Sequence, residues 1–282
     1  MFKEVMKIGA AGALLMTAGT TAAHATATAQ PGETAGLARG APLPEGVYFV
    51  NTLDWGVRNT NPDTKLLVDI PVIAWSTPWS IFGGNLQFLA AAPMIHLDAG
   101  GGNDSYGFYN PFLAAALAFD LGGGIGVSYL SGVYFNAGEK DFRVPATTWR
   151  QDFAISYTGD GWNLTANLLW GITFDTSKYA GSSTANGFNL DLTATKTFGK
   201  WEFGAVGFGS TEYDTPGGRP KAKQFAVGPL VGYNFGPVIM QAFLTRDVYQ
   251  RNMGGKDTRF WSRVIIPLWT PEKPMAPLVT KY

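Results

Sequence analysis

The chain has no cysteine, little charge and almost no histidine. Without cysteine among its 282 residues, it cannot build a disulfide scaffold, a thiol nucleophile or a cysteine-ligated zinc site. Charged residues make up 15% of it, against about 25% in an ordinary soluble domain. The 21 basic and 21 acidic residues cancel, which leaves no basic field to recruit nucleic acid and no acidic tail. No run approaches the roughly 20 apolar residues of a membrane-spanning helix. What the chain does have is 36 glycines and 14% aromatic residues, at a mean hydropathy of +0.02. Little charge at neutral hydropathy requires apolar and polar residues to be mixed at very short range. Transmembrane β-barrels have that composition.

The N-terminus supplies a compartment. Lys3 and Lys7 precede an apolar, small-residue stretch, IGAAGALLMTAGTTAA (8–23), and A-x-A patterns then end at Ala25, Ala27 and Ala29. This is the order of a cleaved secretory signal peptide, so residues 1–29 are predicted to be removed on export. An N-terminal membrane anchor fits less well, because the stretch is short and rich in Ala, Gly and Thr. Cleavage would also remove His24 and leave His96 as the one mature histidine. Residues 30–45, QPGETAGLARGAPLPE, read from composition as a flexible periplasmic linker. A proline-broken tail occupies 270–282, and everything between, 46–269, reads as one domain.

That domain has period two throughout. In Trp162–Asp175 the even positions Trp162, Leu164, Ala166, Leu168, Trp170, Ile172 and Phe174 are apolar, and the odd positions are almost all polar or small. A helix would need period 3.6, so this is a strand. Phe188–Phe198 and Trp149–Thr158 repeat the pattern. Near the end, Phe260, Val264, Ile266 and Leu268 oppose Arg259, Trp261 and Arg263. Weaker cases complete about twelve strands, near 46–58, 64–76, 85–96, 111–121, 124–135, 147–158, 161–174, 186–198, 200–211, 223–235, 237–248 and 257–269.

Connections between the strands alternate in length. Tight glycine-bearing turns are expected at Gly122-Gly123, Gly159-Asp160, Gly199-Lys200 and Gly236-Pro237. Longer polar loops fall at 97–110, 136–146, 175–185, 212–222 and 249–256. Outer-membrane barrels have short periplasmic turns and long outside loops, and an even strand number places both termini in the periplasm. A soluble sandwich has less reason to keep every long loop at one end or its aliphatic face so free of charge. Trp149, Tyr157, Trp162, Trp170, Trp201, Tyr233 and Trp269 fall near strand ends, where interfacial girdles sit.

Five blocks, APLPEGVYFVN (41–51), NPFLAAALAFDLGGGIGVSYLSGVY (110–134), SYTGDGWNLTANLLWG (156–171), LDLTATKTFGKWEFG (190–204) and FGPVIMQAFLTRDVYQRN (235–252), together with DTRFWSRVIIPLW (257–269), resemble the outer-membrane transporter family named for a meta-pathway of phenol degradation. The resemblance covers almost all of the mature chain. More remotely, the chain is similar to the barrels that take up fatty acids and aromatic hydrocarbons. The resemblance implies an all-β transmembrane antiparallel β-barrel of about twelve strands that transports small, often hydrophobic or aromatic molecules. It carries no catalytic motif.

Candidates for chemistry are few. A histidine-based triad would have to use His96, which has no local nucleophile signature and reads as a strand-end residue. One histidine cannot build a histidine-rich metal site, and Gly100–Asp104 is a single copy of a glycine–aspartate turn. Gly122–Gly126 lies between strands, so no helix follows to hold a pyrophosphate. The chain is therefore read as a non-enzyme with no cofactor, whose partners are outer-membrane lipid and small-molecule solutes. Parity places Arg150, Asp152, Asn167, Asp191, Gln241, Arg259, Trp261 and Arg263 on the lumen side. There charge is tolerable, whereas an Arg or Lys on the lipid face would cost about 2–4 kcal/mol at mid-depth. These eight are the candidate walls of a solute path. Trp261, between two arginines, is placed either to stack an aromatic solute or to cap an interior plug of side chains. The alternative to a channel is a non-transporting barrel that anchors loops or partners at the cell surface.

Overall fold

A strand with one apolar face gains nothing from that face until it meets lipid or a second layer. In the computed structural model, which describes residues 29–100, 104–174, 185–215 and 220–271, the sheet meets this requirement by closing on itself. Its strands are β1 (Gly46–Arg58), β2 (Thr64–Ile81), β3 (Gly84–Ala91), β4 (Met94–Asp98), β5 (Asp104–Phe108), β6 (Phe112–Gly122) and β7 (Ile125–Tyr134). They continue with β8 (Thr148–Tyr157), β9 (Trp162–Thr173), β10 (Asn186–Phe198), β11 (Trp201–Asp214), β12 (Lys223–Asn234), β13 (Ile239–Arg251) and β14 (Asp257–Trp269). All pairings are antiparallel, and β1 pairs with both β2 and β14, so the sheet has no seam.

Two traverses of the wall are interrupted. β3 and β4 both pair with β2 and are separated by Ala92-Pro93. β5 and β6 pair with β4 and β3 in turn and are separated by Tyr109-Asn110-Pro111. Proline has no N–H to give to a ladder, so each break falls at a proline. Counted as single traverses, the strands make a closed transmembrane barrel of twelve. The outer face carries exposed Leu113, Phe153, Ile155, Leu164, Leu244 and Phe260, while the inner face holds most of the buried polar side chains.

The end of the barrel that carries Gly46 and Trp269 has the short connections. Gly199-Lys200 forms the expected two-residue turn between Phe198 and Trp201. The β6–β7 turn lies one residue beyond its expected place, at Gly123-Gly124, with both residues at positive φ. β2 runs on to Ile81 and turns at Phe82-Gly83, again both at positive φ. A phenylalanine there carries no turn signal, because left-handed turn positions ordinarily go to Gly, Asn or Asp. At the other end, part of the expected loop 97–110 is the hairpin β4–β5, while the expected loop 175–185 falls mostly outside the described residues. The signal peptide, except Ala29, and the tail beyond residue 271 also lie outside them.

The largest departure is the segment 30–45. It was expected to be a flexible periplasmic linker, and it runs inside the barrel as a folded strap. Turn bonds such as Glu33 N–H to the Gln30 carbonyl and Ala35 N–H to the Gly32 carbonyl satisfy part of its backbone, and the remaining groups need other partners. The polar inner face of the barrel provides them.

Candidate functional site

The strap is fastened residue by residue. On β10, Asp191 accepts the Gly32 N–H at 2.9 Å through Oδ1, and the N–H and hydroxyl of Thr34 at 2.9 and 2.6 Å through Oδ2. Asn167 of β9 donates to the Thr34 hydroxyl at 3.0 Å, and Thr193 accepts the Gly36 N–H at 2.7 Å. From β13, Gln241 donates to the Gly36 carbonyl at 3.0 Å. From β14, Arg263 donates to the carbonyls of Ala35 at 2.5 Å and Glu33 at 2.7 Å. Gly36 lies at φ +88°, and a Cβ on Gly40 would fall 2.4 Å from the Ser156 nitrogen. Glycine is needed at both points, because the strap backbone turns or presses against the wall there. Charged partners make such bonds roughly twice as strong as neutral ones.

All eight residues placed on the lumen side by parity face inward and are buried. Arg150, Asn167, Asp191, Gln241 and Arg263 bond the strap directly. Asp152 holds Arg150 in a two-pronged pair at 2.8 and 2.8 Å. Arg259 donates to Asp54 at 2.5 Å, and Asp54 also accepts from Gln30 of the strap at 2.6 Å. Trp261 is fully buried, with Phe243 stacked on it at 5.2 Å and Phe208 edge-on at 5.7 Å. Ala35 of the strap packs into the same cluster. Of the two roles weighed for Trp261, the interior plug is the one its surroundings match. A solute would have to displace Phe243 to stack on it.

The wall from β2 to β7 is different. The inward residues of β2 are Leu66, Val68 and Ile70, all buried, and they form a cluster with Leu97 that Ile95 packs against. This apolar wall, with Pro93 at the break in the β3–β4 traverse, bounds a small pocket against Ala29, Gln30 and Glu33 of the strap. Tyr109 and Tyr134 close its far side, edge-on to each other at 5.8 Å. Asn110 donates to the Val144 and Ala146 carbonyls, and these two residues pack against Tyr109. The sequence reading named none of these apolar residues as site residues. Alternation pointed the other way, since Leu66, Val68, Ile70 and Val72 share one parity while the charged Lys65 and Asp69 fall on the other, so the pattern alone turns the aliphatic face toward lipid.

His96 lies on the exposed β4–β5 hairpin, where its Nε2 pairs with Asp104. It is the middle residue of β4 rather than the strand end expected, and its partner is a carboxylate rather than a serine.

Comparison with known proteins places these features in a family. The family described as "Putative MetA-pathway of phenol degradation" matches residues 42–264. A search of curated proteins returns no match. Among solved structures, the COG4313 outer membrane channel from Pseudomonas putida F1 overlays with a TM-score of 0.59. It is 16% identical, over 80% of this chain and 97% of its own. The β domain of the Bordetella autotransporter BrkA gives 0.53 at 12% identity, over 79% of this chain and 100% of its own. The CymD monoaromatic hydrocarbon channel gives 0.49 at 11% identity, over 82% and 90%. The first two likenesses are of fold, that of outer-membrane barrels. With its match running from just before the first strand into the last, the chain belongs to the family described as the MetA-pathway of phenol degradation.

Proposed function

We propose that the protein is an outer-membrane channel through which small apolar or aromatic compounds pass down their own gradient. The observation that carries this reading is the aliphatic cluster of Leu66, Val68 and Ile70, which with Ile95 bounds a pocket on the inner side of β2. These side chains stabilise the barrel by packing together, and where they bound the pocket they offer a solute an apolar surface. Family membership and the likeness to a COG4313 outer membrane channel support the same reading. The rate would be set by weak binding along a shaped path rather than by covalent chemistry.

A second reading, a non-transporting barrel that presents its loops, draws on the strap, which occupies the polar part of the lumen. Uptake separates the two. Small apolar solutes cross a phospholipid bilayer unaided, so the assay belongs in intact cells, behind a lipopolysaccharide leaflet. Across a panel of sugars, fatty acids and phenols, cells with the protein should take up the aromatic members faster than cells without it. Equal uptake across the whole panel would remove the channel reading and leave the loop-presenting barrel.

A further inference from the structure

At the long-loop end of the barrel, strands β11 to β14 turn Glu212, Asp247 and Asp257 inward and leave three cations on the outer wall. We infer that this outer face of β12 and β13 binds lipopolysaccharide, with Arg246 on a phosphate of its acylated disaccharide and Lys223 and Arg251 on the acidic sugars above it. Such a site depends on the outer-membrane setting of the barrel and not on what passes through its lumen.

The carboxylates of this region are engaged elsewhere. Glu212 accepts the Ala222 N–H, Asp247 accepts the Asp257 N–H, and Asp257 accepts from Arg58 and Arg259, all within the barrel. The exposed Asp214 pairs with Asn186 of β10, on the side of β11 away from β12. Lys223, Arg246 and Arg251 are exposed. Straight alternation would not put Arg246 and Arg251 on one face, because they are an odd number of positions apart. A bulge does so. The partners step from Ala226–Asp247 to Phe225–Tyr249, which leaves Val248 as the extra residue. Bulges re-aim side chains, and this one turns Arg251 outward, directly opposite Lys223.

Like charges placed opposite each other on paired strands repel, and among the described residues neither of these two has a carboxylate within ion-pair reach. Arg246 donates to the Thr258 hydroxyl at 2.6 Å, which is an uncharged partner. It stands among the exposed Leu244, Val248 and Val227, where a guanidinium is costly unless an anion meets it. The other outward basic residues of the described strands are better supplied. Lys65 pairs with Asp98, and Lys196 lies over the Trp162 and Phe198 rings at 4.8 and 5.8 Å.

The depth of the cations chooses the lipid. Arg246 and Arg251 are roughly 15 Å apart along β13, at about 3.3 Å per residue, with Tyr249 facing outward between them beside Phe225. A phospholipid carries its phosphate at one level and cannot serve both. Lipopolysaccharide carries phosphate on the sugars next to its acyl chains and carboxylates on the sugars farther out. The long-loop end is also the one that meets the outer leaflet. Arginine suits the inner of the two levels, because its fork grips phosphate with two parallel bonds.

The test uses the purified, folded protein in an uncharged detergent free of lipopolysaccharide, to which three lipids are added in turn: lipopolysaccharide, the same glycolipid stripped of its phosphates, and phosphatidylglycerol. The stripped form and phosphatidylglycerol should each bind roughly tenfold more weakly than lipopolysaccharide, the weight of a charge-assisted bond. Arg246→Gln should lose a similar factor toward lipopolysaccharide and little more toward the stripped form, because both changes remove one contact. Lys223→Gln should also bind lipopolysaccharide more weakly, yet without lipid it should raise the temperature of the heat-modifiable transition by relieving the repulsion with Arg251. Lys65→Gln makes the same charge change at the same end and should bind as the parent does. Heat-modifiable migration verifies that each variant is folded. Phosphatidylglycerol or the stripped glycolipid bound as tightly as lipopolysaccharide would overturn the inference. So would parental affinity in Arg246→Gln or Lys223→Gln, or losses from Arg246→Gln and from phosphate removal that add in full.

Discussion

The wall from β8 through β14 to β1 and the wall from β2 to β7 treat the same lumen in opposite ways. The first presents Arg150, Asn167, Asp191, Gln241 and Arg263, and each of them ends on the strap. The second presents Leu66, Val68 and Ile70 of β2 and Ala114, Ala116 and Ala118 of β6, and both breaks in the strand ladder belong to it. Polar side chains taken out of water must find partners, so the first wall binds whatever backbone is within reach. Apart from Ser76 and Ser128, which donate to the Leu43 and Arg39 carbonyls, the second wall offers aliphatic and small side chains that ask for nothing directional, and it leaves a small pocket. The contrast teaches that one lumen can be closed on one side and receptive on the other without any moving domain.

The most severe way to break the contrast is to delete residues 30–41. The strand ladders do not include these residues, so the barrel should still form and remain heat-modifiable. Its ion conductance in planar bilayers should rise by the largest step of any variant. A deletion mutant as closed as the parent would show that the strap is not the plug. Next comes Arg263→Met, which strips donors from the Glu33 and Ala35 carbonyls, from Gln241 and from Thr52 at once. Breaking a buried charged network of this kind should cost about 3–5 kcal/mol, read as a lower temperature for the heat-modifiable transition. Asp191→Asn keeps the shape but loses the charge that gathers Gly32 and Thr34. It should cost about 1.5–3 kcal/mol, the weight of hydrogen bonds to a charged group. At the small end, Lys65→Ala removes an exposed pair with Asp98 on the β2 side. A surface pair of this kind is worth about 0–1 kcal/mol, and neither the transition nor the conductance should move.

How much of this was legible in the sequence depended on how far apart the partners lie. Strand faces are local, because parity within Trp162–Thr173 is enough to set Asn167 inward and Leu168 outward, and the barrel followed from many such segments. The same parity placed Arg150, Asp191 and Arg263 correctly in the lumen, but it could not say what they hold. Gly32 and its partner Asp191 are 159 residues apart, and nothing in PGETAG marks the pairing. Glycine and proline state which backbone shapes are open to the strap, and they are silent about the wall it meets. The turn at Phe82-Gly83 was hidden for the opposite reason, since its residue type argues against the conformation it adopts. The apolar pocket was hidden from alternation, because in β2 the charged Lys65 and Asp69 lie on the outward parity and the aliphatic residues on the inward one. Its closure involves Tyr109, against which Val144 and Ala146 pack, a contact that alternation does not encode.

The account stands most directly on the apolar wall, and one substitution tests it. Val68→Asn places an amide on that wall, opposite Asp54 in the β1–β2 pairing, without removing any side chain that fastens the strap. The measurement is the initial rate of uptake of a radiolabelled monocyclic aromatic by intact cells carrying the parent, the variant or neither. The account predicts a rate with the parent well above that of cells lacking the protein, and a rate with folded Val68→Asn fallen most of the way back. Equal rates for parent and variant, or for parent and no protein, would contradict it.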